Sequence, residues 1–352
     1  MSTEVLALSA PAPHAPLATT TIPRRTPGDH DVVIDIEYTG ICHTDLALLR
    51  EEWGAGPLFP MVPGHEIVGR VAEAGASVSR HAVGDRVGVG CYVDSCRACV
   101  NCEAGEEQHC LRGEVITFGG LDYAGERTYG GYSRRIVVDE RYALRVPDAL
   151  DPRGAAPLLC AGISMYNPLR RWRAGPGRRV AIVGLGGLGH LGVQLADAMG
   201  AEVTVLGRTL GKRADGLRLG AVDYRATGDP ATFEELAGGF DLIVNTVGAG
   251  GDLDGLLGLL ALDGVLVNAG VSVAPSTLHQ PVLGAMRRVV TSTKNGGLRQ
   301  CQEMLDFCAE HGIEAETELV EADRINEALD RLDRGDVRYR FVIDLATLAP
   351  GR

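Results

Sequence analysis

A glycine loop between two periodic segments constrains this chain most. Arg178–Val183 is an apolar run of strand character, and Leu188–Met199 has the apolar spacing of a helix. Between them stands Gly184-Leu185-Gly186-Gly187-Leu188-Gly189, a G-x-G-x-x-G pattern. In isolation that is a glycine-rich turn. Directly after a strand and at the mouth of a helix, it predicts a dinucleotide-binding unit. Gly184 permits the tight turn, Gly186 lets backbone approach a pyrophosphate, and Gly189 lets helix and strand pack closely. The free amides of the helix N-terminus then face the phosphates.

The rhythm continues downstream. Strand character at Glu202–Leu206, Phe240–Thr246, Gly264–Ala269 and Arg288–Thr293, with a helix around Leu253–Leu262, predicts a doubly wound parallel sheet of the Rossmann type. Upstream, β-branched runs at Val32–Tyr38, Ile67–Glu73, Arg86–Val89 and Arg135–Val138 alternate with Gly/Pro turns and predict a compact, mostly β domain. The tail has helical patterns at Leu298–His311 and Ile325–Arg334 and a last strand at Tyr339–Leu345; it is expected to rejoin the first domain. At 352 residues the chain suits about two domains with substantial cores. The fold class is therefore α/β.

The end of the second strand of the parallel sheet bears on the choice of nicotinamide. An NAD site places Asp or Glu there to hold the ribose 2′-hydroxyl. This chain reads Val205-Leu206-Gly207-Arg208-Thr209, followed by Lys212 and Arg213. Arg208 can pair with a 2′-phosphate, supported by Thr209 and Lys212, so NADP(H) is expected in preference to NAD(H). The bland alternative is a set of solvated charges at a helix start.

Formal charge is −12, which argues against a nucleic-acid partner. No run of eighteen apolar residues predicts a membrane span, and Met1–Thr21 lacks the charged and apolar regions of a secretion signal. The expected compartment is a reducing cytoplasm. Nine cysteines are there expected as metal ligands or buried apolar residues, not disulfides.

Four of them, Cys96, Cys99, Cys102 and Cys110, form C-x2-C-x2-C-x7-C. That spacing predicts a closed tetrahedral zinc site that holds a lobe together and does no chemistry. An iron–sulfur cluster and a nucleic-acid-binding zinc ribbon are the rivals. His109 reads as a surface neighbour. Further candidates are dispersed: Cys42-His43-Thr44-Asp45, Gly64-His65-Glu66, and Cys160 within Leu158-Leu159-Cys160-Ala161-Gly162. Spacing does not bring them together, and Cys160 or His65 taken singly reads equally as a core residue.

Taken together, these segments closely resemble the zinc-dependent medium-chain dehydrogenases, in particular the cinnamyl alcohol dehydrogenase-like branch. The matching pieces are G-I-C-H-T-D at 40–45, V-P-G-H-E-I-V-G at 62–69 and V-G-D-R-V-G-V-G at 83–90. S-C-R-A-C-V-N-C at 95–102, Gly130-Gly131-Tyr132-Ser133, A-P-L-L-C-A-G-I at 156–163, the glycine loop and D-V-R-Y-R-F-V-I-D at 336–344 complete the set. The resemblance covers almost the whole chain. It implies a GroES-like catalytic domain of residues 1–159 and 298–352, a Rossmann domain of residues 160–297, and an active site in the cleft between them. It further implies a catalytic zinc on Cys42, His65 and Cys160, hence two zinc ions per chain. Glu66 resembles the carboxylate that approaches the metal during ligand exchange, Asp45 the acceptor that orients His65, Thr44 the hydroxyl on the reacting oxygen, and His43 a pyrophosphate contact. The implied reaction transfers hydride between NADP(H) and a small-molecule alcohol–aldehyde pair, mainly as aldehyde reduction, in a homodimer.

One departure stands out. Many relatives carry a histidine five positions beyond the first zinc cysteine, at the outer end of a proton relay. Here that place is Ala47, expected to leave room for water. The segment Ser292-Thr293-Lys294-Asn295-Gly296-Gly297 also departs from the usual glycine- and serine-rich version. Ala47 keeps open a specialised reductase of a conjugated carbonyl or iminium. A non-catalytic, zinc-stabilised nucleotide-binding protein is a third reading, opposed by the joint retention of Cys42, His65, Cys160 and Thr44. Trp53, Leu58, Tyr92 and Phe118 are candidate pocket residues.

Overall fold

The computed structural model describes residues 3–54, 56–248 and 252–350. The chain divides into two compact units, Met1–Cys160 with Gly296–Arg352, and Ala161–Asn295.

The first unit is organised around strand Asp31–Ile41. Val32, Val33 and Ile34 are buried in succession, so both faces of this strand are covered. It pairs antiparallel with Ile67–Ala74, Arg135–Asp139 and Arg340–Asp344. The last of these also pairs in parallel with Thr317–Glu321, so the end of the chain is woven into the first sheet. Ile34, Ile67, Val89, Ile136, Phe341 and Ile343 belong to one apolar core. The four cysteines lie on an excursion between Tyr92–Asp94 and Val115–Ile116, two short strands that pair antiparallel.

Near the N-terminus, Thr3–Ser9 and Ala18–Arg24 pair antiparallel over seven residues. Sequence reading passed over them because Thr19, Thr20 and Thr21 lack an apolar alternation.

The second unit is a six-stranded parallel sheet, with helices Gly189–Ala198, Arg213–Arg218 and Leu253–Gly258 among its connections. Across the sheet the strands run Asp223–Ala226, Glu202–Gly207, Arg179–Val183, Phe240–Asn245, Leu260–Asn268 and Val289–Ser292. This is the 3-2-1-4-5-6 order of a Rossmann sheet. The expected α/β class is thus present, as one mostly β unit and one doubly wound unit.

Two details differ from the sequence reading. The helix expected to reach Leu262 ends at Gly258, and Leu260 already begins a strand that runs to Asn268. An apolar run such as Leu256–Leu262 satisfies either period, and pairing of Leu260 with Phe240 decides it. Strand Asp223–Ala226 was not foreseen because it is short, charged and at the sheet edge. No helix among the described residues is long and apolar enough to cross a membrane.

Candidate active site and metal centres

Four buried donors converge in the first unit. Cys42 ends strand Asp31–Ile41 and caps helix His43–Leu49; His65 and Glu66 precede strand Ile67–Ala74; Cys160 follows the turn Ala156–Leu159. Their ligand atoms all lie within 4.8 Å of one another. The Cys42 and Cys160 sulfurs are 4.0 Å apart, and His65 Nε2 is 3.2 Å from Cys160 Sγ. Phe118 stacks on the His65 ring, centroids 5.6 Å apart.

Asp45 organises this set. As third residue of its helix it reaches back to the cap, where Cys42 N donates to Oδ2 at 2.8 Å. Its Oδ1 lies 3.1 Å from His65 Nδ1 and accepts from Gly64 N at 3.1 Å. An Nδ1–H given to Asp45 leaves the Nε2 lone pair free for a cation.

The charges are tightly coupled. Contact with the Cys160 thiol holds Cys42 well below the usual thiol range despite burial, with help from His65. Contact with Cys42, then Cys91 and burial, pushes Cys160 well above that range. Burial opposes charge on His65, yet Asp45 holds its pKa well up. Glu66 is pushed up to about 7 by burial, against the attraction of Arg340. Arg340 donates to Glu66 Oε1, while Glu66 Oε2 is buried without a hydrogen-bond partner. Arg340 was not singled out from sequence although it lies in the motif at 336–344: it is 274 residues from Glu66, and spacing does not link the two.

A metal ion fits these residues. The imidazole is oriented, an orphaned carboxylate oxygen stands beside it, and a dication would let both thiols ionise. Thr44 is half-buried, its hydroxyl 3.6 Å from Cys42 Sγ, and His43 is exposed. Ala47 is wholly enclosed, so the expectation that it leaves room for water is not met: its methyl is packed.

The second cluster gathers Cys96, Cys99, Cys102 and Cys110, again within 4.8 Å. Cys99 and Cys96 sulfurs lie 3.5 and 3.9 Å from that of Cys102. A tetrahedron with zinc–sulfur arms of about 2.3 Å has edges near ~3.8 Å, so one ion suits the cluster. Backbone amides supply part of the field. Leu111 N donates to Cys99 Sγ at 3.4 Å, lowering that thiol to about 6, and Cys96 N donates to Cys110 Sγ at 3.3 Å. Burial pushes Cys102 up to about 12. His109 is exposed, its carbonyl accepting from Asn101.

In the second unit, the glycine loop joins strand Arg179–Val183 to helix Gly189–Ala198. Gly184 has φ +89°, a conformation that side chains disfavour. A Cβ on Gly186 would meet nothing within 4 Å, which leaves a cradle of bare backbone beside Leu185, Gly187 and Leu188. A pyrophosphate fits there. At the end of Glu202–Gly207 no carboxylate stands. Arg208 is exposed, and its guanidinium has no hydrogen-bond partner among the described residues. Thr209 Oγ1 accepts from Gly211 N at 3.4 Å. Lys212 Nζ donates to Leu185 O at 2.8 Å and so ties the second β–α turn to the glycine loop. Tyr224 crosses this end of the strand, its hydroxyl donating to Thr209 O at 3.1 Å.

Residues 28–148 match the family described as alcohol dehydrogenase GroES-like domain, and residues 187–310 the family described as zinc-binding dehydrogenase. The chain is 56% identical over 349 residues to "NADP-dependent alcohol dehydrogenase C 1" of Mycolicibacterium smegmatis, covering 99% of each. Its fold superposes on a cinnamyl alcohol dehydrogenase of Sorghum bicolor with TM-score 0.96 and 40% identity, covering 99% of this chain and 100% of that one. For a Helicobacter pylori homologue complexed with NADP(H) the values are 0.93, 36%, 99% and 100%. The chain belongs to the zinc-dependent medium-chain alcohol dehydrogenases, in the cinnamyl alcohol dehydrogenase-like branch. It is an oxidoreductase that passes hydride between a nicotinamide and an alcohol–aldehyde pair.

Proposed function

We propose that this enzyme works mainly as an NADPH-dependent aldehyde reductase, with Cys42, His65 and Cys160 holding a catalytic zinc and Cys96, Cys99, Cys102 and Cys110 a structural one. The convergence of Cys42, His65, Glu66 and Cys160 from three separate segments into one buried cluster carries the reading. When bound, zinc supplies a Lewis acid and the nicotinamide supplies hydride. The protein's part is to place and protonate. Asp45 fixes the His65 ring, and Arg340 holds one oxygen of Glu66 while the other stands among the metal-binding side chains. The Thr44 hydroxyl, beside Cys42, would relay a proton to the nascent alcohol oxygen, taking up one from solvent for each that it gives. The loop Gly184–Gly189 holds the pyrophosphate on bare backbone.

The cofactor preference is supported by the missing carboxylate after Leu206, by the unpartnered Arg208, and by the NADP-dependence printed for the relatives above. Arg208 reads the 2′-phosphate, with Thr209 beside it and Lys212 linking that position to Leu185. The test is an aldehyde panel with NADPH and NADH, on the parent and on Arg208→Ala. The parent is expected to favour NADPH. The variant is expected to lose roughly ten- to a hundredfold in kcat/KM for NADPH, the worth of a charged hydrogen bond, and to spare NADH. Equal loss with both cofactors excludes this role for Arg208, and no turnover of any aldehyde excludes the reductase.

The proposal extends to a homodimer in the cytoplasm. Strand Val289–Ser292 ends its sheet with one neighbour, and Val271, Val273, Met286 and Val289 are exposed apolar residues of this unit. A monomeric mass by light scattering rules the dimer out. All nine cysteines are free, which suits a reducing compartment; native protein isolated with disulfides contradicts it.

A further inference from the structure

The Gly130-Gly131-Tyr132-Ser133 motif takes no part in the chemistry above, yet it is laid along the metal site. Gly130 N donates to Val62 O, Tyr132 N to Pro63 O and Gly131 N to Gly64 O, at 2.8 to 2.9 Å. These carbonyls belong to the residues just before His65. The Tyr132 ring is fully buried and lies so close to Gly64 that a Cβ there would stand 2.6 Å from its Cδ1. Its hydroxyl donates to Asp45 Oδ2 at 3.0 Å.

That bond completes a symmetrical arrangement. Asp45 Oδ1 faces His65 Nδ1 and Gly64 N; Oδ2 accepts from Cys42 N and Tyr132 Oη. With two donors on each oxygen the carboxylate has one favourable orientation. We propose that Tyr132 is a positioning residue of the metal centre, whose hydroxyl pins Asp45 so that His65 Nδ1–H is held and His65 Nε2 is presented as ligand. The inference rests on the reading of Cys42, His65 and Cys160 as metal ligands. Burial, then the charge of Asp45, keeps the phenol well above its usual pKa, so it stays a donor.

Arg24 secures the motif from its other side. Its guanidinium donates to Tyr129 O at 2.6 Å and to Gly130 O and Ser133 Oγ at 2.7 Å each. It has no carboxylate partner among the described residues, and burial lowers its pKa to about 9. A buried cation committed to three acceptors of one turn fixes that turn and, with it, the ring that reaches Asp45.

Tyr132→Phe removes one oxygen and keeps the ring. The readout is zinc release from holoenzyme under excess chelator, followed with a colorimetric indicator, with Cys42→Ser assigning the phase that belongs to the Cys42 site. In Tyr132→Phe that phase is expected to quicken about threefold to tenfold. This lies at or below the low end of the effect of removing a histidine's direct partner, because Asp45 keeps three of its four donors. The four-cysteine phase, an internal standard, is expected to keep its rate. An unchanged rate at the Cys42 site overturns the proposal, and so does equal acceleration of both phases, which marks a merely structural residue. Active parent enzyme that releases zinc from the four-cysteine lobe alone overturns the underlying metal assignment instead, and is recognised by the missing phase.

Discussion

The four-cysteine lobe takes its thiols from residues 96–110, whereas the Cys42–His65–Cys160 cluster joins segments up to 118 residues apart. The lobe sits near the surface, with Cys96 and Cys99 partly exposed, and is tuned by backbone amides of its own loop. The dispersed cluster is buried throughout and is tuned by side chains from three separate segments: Asp45 on helix His43–Leu49, Tyr132 in the loop before strand Arg135–Asp139, and Arg340 on strand Arg340–Asp344. Val100 and Leu111 in the lobe are each 68% exposed, so little apolar packing holds it closed. On the proposed assignment a metal there would substitute for a core, whereas at the dispersed site it would add chemistry to buried donors that the sheet already holds in place.

The largest expected effects pull the two sites apart. Cys96→Ser is expected to lower the melting temperature and the yield of folded enzyme, because structural zinc contributes folding energy. Cys42→Ser is expected to keep a near-parental melting curve and lose turnover by on the order of a thousandfold, roughly 4 kcal/mol of transition-state stabilisation. Metal analysis belongs with the pair: two zinc ions in the parent and one in each variant. Pure, active parent with a single zinc breaks the comparison.

A second test asks whether the dispersed site is really built on a finished core. Arg340→Met leaves the Glu66 carboxylate buried and unpaired. The expected cost is about 3–5 kcal/mol, read as a lower denaturation midpoint. A midpoint equal to the parent's shows that Glu66 finds another partner, the metal being the obvious one, and that the pair does not support the core.

Much was legible from sequence where function is local in the chain. The glycine loop announces itself because turn, phosphate approach and helix start all fall within six residues. The cysteine spacing does so because one ion needs thiols within a few ångströms. Helix Leu298–His311 was legible to the residue, with Gly312 at φ +65° ending it. Elsewhere the local signal was ambiguous. The run around Leu260 fits either period, Ala47 looked open and is enclosed, and Lys212, expected to support Arg208 at the 2′-phosphate, also donates to Leu185 O.

The sequence by itself determined the α/β class, the nucleotide loop and the four-cysteine lobe, since each depends on contacts between residues near in the chain. Only the tertiary structure showed how the histidine and cysteines implied by the family resemblance come together, which arginine pairs with Glu66, and what a tyrosine after the paired glycines touches. Those answers depend on the antiparallel pairing of Arg340–Asp344 with Asp31–Ile41 and on the seating of 130–132 along 62–64. Burial raises the energetic weight of each such contact, because a charge or donor removed from water must find its partner wherever the fold places one.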